Sequence, residues 1–313
     1  FTRTTAQGIY DGNQVTLAQL LPAGQLLHVI RAQTIIMAAG ALERPLVFTN
    51  NDRPGVMLAS ALRTYLNRYA LAPTARAVIA TNNDTAYATA FALAEAGVAV
   101  TIAEERSAPA GDLLAQAAAL GIAIFPNAGI ADVTGDKQLR AVRLKGRHSV
   151  TIDCDVLAMS GGWTPTVHLT SHRGIKPTYR ADLCSFVPGG FDRGHFGAGS
   201  MMGTQTFTQA VQSGWDAAVQ AASDMGKPVA GSCPQAPVQA DVNLGFVAVG
   251  PMVSGKAGDK SFVDFQSDVS VDDIALAHLE GYQSVEHLKR YTTLGMGTDQ
   301  GKTSNLNALT IMA

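Results

Sequence analysis

The sequence predicts an α/β protein with a parallel, doubly wound sheet and a small helical domain at its C-terminus. Strand and helix patterns alternate between residues 76 and 125, and three apolar runs end in glycine turns. Two further helical patterns fall within residues 261–313. Strands that alternate with helices form parallel sheets, and right-handed crossovers place the helices on the faces of the sheet.

Composition narrows the possible functions. Of the 313 residues, 47% are apolar and 15% are charged, and the formal net charge is −2. This balance supplies no basic surface for nucleic acid, so we expect no nucleic-acid partner. No apolar run reaches the roughly 18 residues of a membrane span, so we expect no membrane association. Three distant cysteines argue against a disulfide scaffold and favour a reducing, cytoplasmic setting.

The N-terminal part reads as β-structure. Loosely alternating stretches in residues 1–40 end in the apolar run 34–37, which is followed by Ala-Ala-Gly40. A helical spacing of leucines predicts a helix over 57–69.

The clearest βαβ pattern follows, with elements at 77–80, 84–95, 98–102, 111–120 and 122–125. Asp84 is the expected N-cap of the first of these helices, and Gly97 its stop. Strands resume over 141–159. A strand–glycine turn at 196–200, a helix at 206–224, a Pro- and Gly-rich linker at 226–260, and helices at 271–279 and 284–292 complete the pattern.

The turn after the 77–80 strand stands where a dinucleotide-binding fold has its G-x-G-x-x-G loop. Thr81 and Asn83 occupy the first two glycine positions, and Ala86 is an accepted third. A Cβ at either of the first two positions obstructs the approach of backbone N–H groups to a pyrophosphate. Glu104 stands about 20 residues on, where an acid binds the ribose. A working nucleotide site and a βαβ unit kept for architecture both remain open, and the residues favour the second.

The three strand–glycine turns are the better candidates for a dinucleotide site. A small residue there lets the backbone approach a ligand, an arginine pairs with phosphate through its forked donors, and a helix N-terminus donates N–H groups to an anion. The predicted cofactor-binding residues are Gly40, Glu43, Arg44, Gly161, Trp163, Gly199 and Thr204.

No pattern identifies a catalytic residue. The seven histidines show no metal-ligand spacing, and no Walker loop, G-x-S-x-G or Cys/His pair is present. His195, just before the third glycine turn, is a weaker ligand candidate. Residues 50–55 read as a structural turn.

Six runs resemble the α-subunit family of heterotetrameric sarcosine oxidases. They are GALERPLVF at 40–48, NDRPGVMLA at 51–59, RTYLNRY at 63–69, FVDFQ at 262–266, SVEHLKRYTT at 284–293 and GTDQGKTSN at 297–305. The resemblance extends over the whole chain. Subunits of opine oxidases, hydrogen cyanide synthase and dye-linked proline dehydrogenases are relatives of this family.

The resemblance implies a two-dinucleotide-binding-domain flavoprotein-like fold, Rossmann-type and three-layered. Residues 1–71 and 151–225 would form an outer domain, 72–150 an inserted domain, 226–260 a linker and 261–313 a helical module. This part would be the middle of the subunit, with a glycine fingerprint before it and a folate-binding domain after it. The isolated piece would then lack a complete NAD site and be inactive.

The resemblance also implies the cofactors and partners. NAD would bind the complete α subunit, FAD a separate β subunit that oxidises the amine, and FMN the α/β interface. Smaller γ and δ subunits would complete the complex. Sarcosine would be oxidised to glycine, with H2O2 and, in the full complex, 5,10-methylenetetrahydrofolate as the other products.

One departure separates the relatives. Opine oxidases and dye-linked dehydrogenases carry four cluster-binding cysteines in the C-terminal module, and these align with Asp264, Gln266, Asp299 and Ser304. Because iron–sulfur clusters are held by thiolates, the sequence predicts no cluster here. The alternatives are an A subunit of an opine, proline or amine dehydrogenase and a structural subunit without nucleotide. A stand-alone reductase is disfavoured because the pyrophosphate loop and a C-x-x-C pair are missing.

Overall fold

A computed structural model gives the fold of residues 1–72, 74–147, 149–236, 244–253 and 258–313. His148 and the 237–243 and 254–257 parts of the predicted linker lie outside the described residues. No helix among the described residues is both long and apolar enough to cross a membrane.

The strands and helices are numbered in chain order. The strands are β1 (Thr4–Tyr10), β2 (Gln14–Leu21), β3 (Gly24–Arg31), β4 (Ile35–Met37), β5 (Ala41–Glu43), β6 (Val56–Leu58), β7 (Arg76–Thr81), β8 (Ala99–Glu104), β9 (Ala123–Pro126), β10 (Gly129–Gly135), β11 (Leu139–Lys145), β12 (Val150–Asp153), β13 (Val156–Ser160), β14 (Trp163–Pro165), β15 (Thr178–Arg180), β16 (Ser185–Val187), β17 (His195–Gly197), β18 (Phe262–Asp264) and β19 (Val269–Ser270). The helices are α1 (Ala59–Tyr69), α2 (Tyr87–Glu95), α3 (Gly111–Ala119), α4 (His168–Ser171), α5 (Phe207–Asp224), α6 (Val271–Leu279), α7 (Val285–Thr292) and α8 (Asn305–Met312).

The chain forms two compact units. Unit 1 comprises Phe1–Ala41, Pro165–Ala181 and Ser185–Asn243, and unit 2 comprises Leu42–Thr164, Asp182–Cys184 and Leu244–Ala313. The chain thus passes into unit 2 after residue 41 and leaves it after 164, whereas the sequence placed these boundaries at 71 and 150. The first difference arises because β6 pairs with β13 in the sheet of unit 2.

Unit 2 is built on a five-stranded parallel sheet with the strand order β6-β13-β7-β8-β9. Side chains of a strand point alternately to opposite faces, and β7 shows this directly. Ala77 and Ile79 belong to a core cluster with α1 and α2, while Val78 and Ala80 belong to a second cluster with β10 and β11. The fold class is confirmed as Rossmann-type α/β in three layers, but the second face is covered by the antiparallel sheet β10-β11-β12 rather than by helices.

The C-terminal module lies within unit 2. The strands β18 and β19 and the helices α6, α7 and α8 enclose a core of Val263, Ile274, Leu288, Leu294 and Ala308. The sequence predicted α6 and α7, and the structure adds α8, for which no helix was predicted.

Unit 1 contains the antiparallel meander β1-β2-β3, the parallel pair β4-β17 and the antiparallel pair β15-β16. Its core cluster includes Ile9, Met37 and Met201. The 18-residue helix α5 begins with a capping box, in which the Thr206 hydroxyl accepts from the Gln209 amide and the Gln209 side chain accepts from the Thr206 amide.

Two local predictions need correction. The predicted helix at 84–95 begins with a 3-10 turn over Asp84–Ala86, and the N-cap of that turn is Asn83 rather than Asp84, because the Asn83 side chain accepts a hydrogen bond from the Thr85 amide while the Asp84 carboxylate binds Arg106. Residues 244–252, predicted as linker, belong to unit 2 and bind its strand ends through the backbone and side-chain hydrogen bonds described below. We call residues 244–252 the covering segment.

Candidate functional site

Nucleotides bind open α/β sheets at the carboxyl ends of the strands, where the strand order reverses. In unit 2 this point lies between β7 and β13, which are neighbours in the sheet but far apart in sequence. The residues following these strands are 81–86 and 160–163, and the turn after β8 adds Glu104 and Arg106. We call this part of unit 2 the unit 2 edge.

The loop after β7 is held by its own side chains. The Thr81 hydroxyl donates to the Asn83 carbonyl oxygen at 2.8 Å, and the Asn83 amide group donates to the Ser160 carbonyl oxygen at 3.2 Å. The second bond connects the ends of β7 and β13 across the point where a pyrophosphate would lie. Thr81 and Asn83 therefore fix this loop with their own side chains, while the obstruction of a pyrophosphate by their Cβ atoms stays a prediction.

A buried charge network lies beside this loop. Arg106 Nη2 is 2.6 Å from Asp84 Oδ1 and 2.7 Å from Glu104 Oε2, and Tyr87 donates its hydroxyl to Glu104 Oε2 at 3.0 Å. The Glu104 side chain has no solvent exposure, and that of Arg106 is 8% exposed. Burial opposes the charge of the guanidinium, but hydrogen bonds to Glu104 and Asp84 outweigh burial and raise the pKa of Arg106. Glu104, the expected ribose ligand, is thus a partner of Arg106 and Tyr87.

Glu105, the next residue, is also largely withdrawn from solvent. Burial, with the neighbouring Glu104 charge, raises the pKa of Glu105 to about 7. An added Cβ on Gly129 would contact Glu105 Oε1 and the side chain of Met252, which places the end of the covering segment beside this carboxyl group.

The covering segment contacts all three strand ends. The Leu244 carbonyl oxygen accepts from the Asp84 amide after β7, and the Leu244 and Gly245 carbonyl oxygens accept from Arg106 after β8. The Phe246 ring lies 3.4 Å from the position of a Cβ on Gly162, after β13. The residues at the unit 2 edge therefore do not fit a dinucleotide, because the groups that would contact it are bound within the chain.

Four of the predicted cofactor-binding residues lie in unit 2. Arg44 is 6% exposed and donates through Nε and Nη2 to the Gly161 carbonyl oxygen and through Nη1 to that of Cys184. Trp163 Nε1 donates to the Thr85 hydroxyl at 3.0 Å.

Glu43 is also buried, and its carboxylate accepts from the Ser60 amide in the first turn of α1 at 2.8 Å. Burial raises the pKa of Glu43, although the hydrogen bonds to Ser60 oppose this. The structure thus brings Arg44 and Gly161 together around backbone carbonyl oxygens, while a role in nucleotide binding for all four residues stays a prediction.

The other three predicted residues lie in unit 1, after the parallel strands β4 and β17. The Ala198 amide donates to the Met37 carbonyl oxygen at 2.8 Å, so Gly40 and Gly199 follow strands that end at the same side of the pair. Both glycines have positive φ, and an added Cβ would meet nothing within 4 Å. We call this the unit 1 edge.

Thr204 supplies the polar group of the unit 1 edge. Its hydroxyl oxygen is buried and, among the described residues, has no hydrogen-bond partner. It lies two residues before the N-cap of α5. Open space at two glycines and an unpartnered buried hydroxyl fit a ligand that approaches the backbone closely. The unit 1 edge differs in this from the unit 2 edge, where atoms of the chain already contact the groups that would bind a dinucleotide.

His195, the weaker candidate, is 5% exposed, and its ring Nε2 lies 2.9 Å from Asn13 Oδ1. Burial lowers its pKa. In the part of the chain that the structure describes, no group of three or more His, Cys, Asp or Glu could hold a metal ion.

The four positions aligned with cluster cysteines lie close together. The Ser304 hydroxyl donates to Asp264 Oδ2 at 3.3 Å, and Gln266 Oε1 accepts from the Asp299 amide at 3.4 Å. The Gly295 amide donates to the same Asp264 oxygen at 2.7 Å. Hydrogen bonds therefore connect the β18 turn to the 295–304 loop through these positions.

Sequence reasoning missed Arg106 and the covering segment. Arg106 stands two residues after Glu104, which was recognised, but no motif assigns it a partner. Asn51, read as part of a turn, is 2% exposed and exchanges two hydrogen bonds of 2.8 Å with the backbone of Phe262. Its signal in the sequence was an asparagine three residues before the Pro54-Gly55 pair.

Comparison with known proteins identifies relatives of the chain. The sarcosine oxidase A3 domain model matches residues 258–313. Sarcosine oxidase subunit alpha of Rhizobium meliloti is 40% identical over 326 residues, which cover 99% of this chain and 32% of the relative. The subunit of Corynebacterium sp. (strain P-1) is 34% identical over 335 residues, with 99% and 34% covered. The chain thus spans about a third of the length of these relatives.

Solved structures support the fold. L-proline dehydrogenase from P. horikoshii has a TM-score of 0.68 at 17% identity, with 99% of this chain and 58% of that one covered. Thioredoxin reductase from T. acidophilum has a TM-score of 0.56 at 18% identity, with 72% and 74% covered. At these identities the likeness shows the fold alone. Over 99% of its length, the chain is similar to the α subunits of sarcosine oxidases.

Proposed function

We propose that this chain is part of the α subunit of a sarcosine oxidase complex, which oxidises sarcosine to glycine and releases H2O2. The support is the 40% identity to a sarcosine oxidase α subunit along 99% of the chain. In the full complex, a folate-binding domain would take the one-carbon unit to 5,10-methylenetetrahydrofolate. The setting is cytoplasmic, in keeping with Cys154, Cys184 and Cys233, none of which forms a disulfide.

Within that complex, the chain binds NAD and supports the subunit that carries flavin. The observation that carries the NAD role is the unit 1 edge, with open glycines at 40 and 199 and the unpartnered Thr204 hydroxyl. Backbone at the two glycines would lie against the dinucleotide, and the Thr204 hydroxyl would donate to one of its oxygens. Residues before β1 in the complete subunit would supply the remainder of the site.

Redox chemistry belongs to other parts of the complex. The β subunit would hold FAD, which would supply the oxidation of the amine, and the α/β interface would hold FMN, which would supply the reaction with oxygen. Smaller γ and δ subunits complete the assembly. We assign no catalytic residue in this chain, and the isolated chain is inactive.

The proposal includes no iron–sulfur cluster. Asp264, Gln266, Asp299 and Ser304 stand at the aligned ligand positions and hydrogen-bond to one another or to the adjoining backbone. Clusters of this kind need thiolate ligands, and these four side chains supply none.

A structural subunit without nucleotide is the second candidate. It is favoured by the unit 2 edge, where the chain's own atoms contact the groups that would bind a dinucleotide. The third candidate is an A subunit of an opine, proline or amine dehydrogenase. FAD bound to the purified subunit would distinguish it from the NAD-binding subunit and from the structural subunit.

The test is mass spectrometry of the nucleotide released from the purified full-length α subunit, with a visible absorption spectrum. Gly199→Ala and Thr204→Val should lower the NAD content about tenfold or more, because the added Cβ would fill the space that the ligand needs and the valine would remove the hydroxyl donor. Gly174→Ala is the matched control, since Gly174 also has positive φ and open space at its Cβ position.

Equal NAD content in Gly199→Ala and Gly174→Ala would refute the unit 1 edge as the site. FAD in place of NAD would favour the dehydrogenase alternative, and iron–sulfur absorption would refute the absence of a cluster. No nucleotide in the wild-type subunit would favour the structural subunit.

A further inference from the structure

We infer that the covering segment, residues 244–252, is an internal substitute for a dinucleotide and keeps the unit 2 edge closed to free nucleotides. This inference goes beyond the proposed function, because it stands whether or not the unit 1 edge binds NAD. Its evidence is a set of contacts between the segment and the residues that follow β7, β8 and β13.

The first contact is at the start of the βαβ helix. In a nucleotide-binding βαβ unit, backbone N–H groups of this turn donate to the pyrophosphate. Here the Asp84 amide donates to the Leu244 carbonyl oxygen at 3.0 Å. A carbonyl oxygen of the segment therefore stands where a phosphate oxygen would accept.

The second contact is at Arg106, the cation of the unit 2 edge. Its Nη1 donates to the carbonyl oxygens of Leu244 at 3.4 Å and Gly245 at 3.2 Å. Its Nε and Nη2 donate to Glu104, and Nη2 also to Asp84. Each guanidinium nitrogen thus has an acceptor within unit 2, so a phosphate would have to displace one of them.

The third contact is a reciprocal pair that fixes the middle of the segment. The Val247 amide donates to the Asn82 carbonyl oxygen at 3.3 Å, and the Asn82 side chain donates to the Val247 carbonyl oxygen at 2.6 Å. Asn82 itself is 2% exposed. Two bonds between the same residues fix the register of the segment along the loop after β7.

The fourth contact is apolar. Gly162 has a φ of +102°, and the Phe246 ring lies 3.4 Å from the position of its missing Cβ. The Cys184 thiol lies 3.7 Å from the Phe246 carbonyl oxygen. A flat ring of the chain packs on the glycine turn after β13, where a flat ring of a cofactor would otherwise find space.

The far end of the segment is anchored as well. The Met252 amide donates to the Val47 carbonyl oxygen at 3.0 Å, and the Thr49 amide donates to the Met252 carbonyl oxygen at 3.1 Å. A tethered group competes at an effective concentration in the millimolar range or above. A free nucleotide must therefore displace an intramolecular competitor that is held at several points.

The experiment is hydrogen exchange of the full-length protein, followed in peptides that cover 81–87 and 244–250. Both peptides should be protected in the wild type, and about 1 mM NAD+ or NADH should not change either, because the segment is the better competitor. Phe246→Ala and Asn82→Asp should speed exchange in both peptides together, about tenfold or more. Asn82→Asp keeps the side-chain shape and removes the donor to Val247.

Phe265→Ala is the matched control, because Phe265 is 42% exposed and belongs to the C-terminal module. It should leave both peptides unchanged. Unprotected 244–250 in the wild type would overturn the inference, as would NAD+ that protects 81–87 while releasing 244–250. Unchanged exchange in a folded Asn82→Asp variant would overturn it too. None of these outcomes depends on how much NAD the purified subunit carries.

Discussion

The unit 1 edge and the unit 2 edge both lie at the ends of parallel strands, two in unit 1 and five in unit 2, but differ in what packs there. Each follows parallel strands, and each has a glycine with positive φ after a strand, Gly199 in unit 1 and Gly162 in unit 2. At Gly199 an added Cβ would meet open space, whereas at Gly162 it would meet Arg44 and Phe246. Strand order places a possible site, and the side chains that pack there decide whether any ligand can enter.

The two edges also differ in how their polar groups are satisfied. At the unit 2 edge, the carboxylates of Asp84 and Glu104 share one guanidinium, and that guanidinium also reaches two backbone carbonyl oxygens. At the unit 1 edge, the Thr204 hydroxyl is buried without a partner among the described residues. The first edge should therefore contribute to stability, and the second to binding.

Arg106→Ala should give the largest effect. Removing the cation leaves the buried Glu104 and Asp84 carboxylates without compensation, which costs about 3–5 kcal/mol of unfolding free energy. Urea unfolding would measure it. Arg76→Ala breaks an exposed pair with Asp155 and should barely move the midpoint. Equal shifts in the two variants would mean that the unit 2 edge is solvated.

The pH dependence of stability should show the burial of Glu105. Its carboxyl pKa is raised from 4.5 to about 7, chiefly by burial. Between these values the unfolded chain has released a proton that the folded protein keeps. The free energy of unfolding should therefore fall as pH rises through this range, by up to about 3 kcal/mol, and stay level above it.

Glu105→Gln should reduce that slope, leaving the part that comes from buried groups such as Glu43, and Glu95→Gln, at the exposed end of α2, should keep it in full. Thermal or urea unfolding at a series of pH values checks both. An undiminished slope in Glu105→Gln would assign the pH dependence to other groups. It would also mean that Glu105 is exposed to water at the unit 2 edge.

The smallest expected effect is on the free energy of unfolding when one threonine from each edge is replaced by valine. Thr81→Val removes a buried hydroxyl that donates to Asn83 and accepts from its amide, and should cost about 1–2 kcal/mol. Thr204→Val removes a hydroxyl with no partner among the described residues, and in nucleotide-free protein should cost about 0.5 kcal/mol or less. Unfolding of both variants under one condition tests this order, and the reverse order would contradict the assignment of the two edges.

Local patterns predicted the elements of unit 2 well, because β7, α2 and β8 carry regular apolar spacing and clear stops. They also predict that the Cβ atoms of Thr81 and Asn83 obstruct the binding of a pyrophosphate to this loop. The partners of Arg106 could not be predicted from the sequence, because it binds residues that come close to it only in the assembled sheet. The covering segment was mistaken for a linker because it binds largely through backbone carbonyl oxygens, which every sequence has.

The covering segment also sets an order of events during synthesis. Arg106 and the Leu244 carbonyl oxygen are 138 residues apart in the chain. At about 5–20 residues per second, roughly 7 to 30 seconds separate their emergence from the ribosome. Through that interval Arg106 can pair with Asp84 and Glu104, but its bond to Leu244 and that of the Asp84 amide cannot form. The covering segment can therefore pack on unit 2 only after the strands that it contacts have been made.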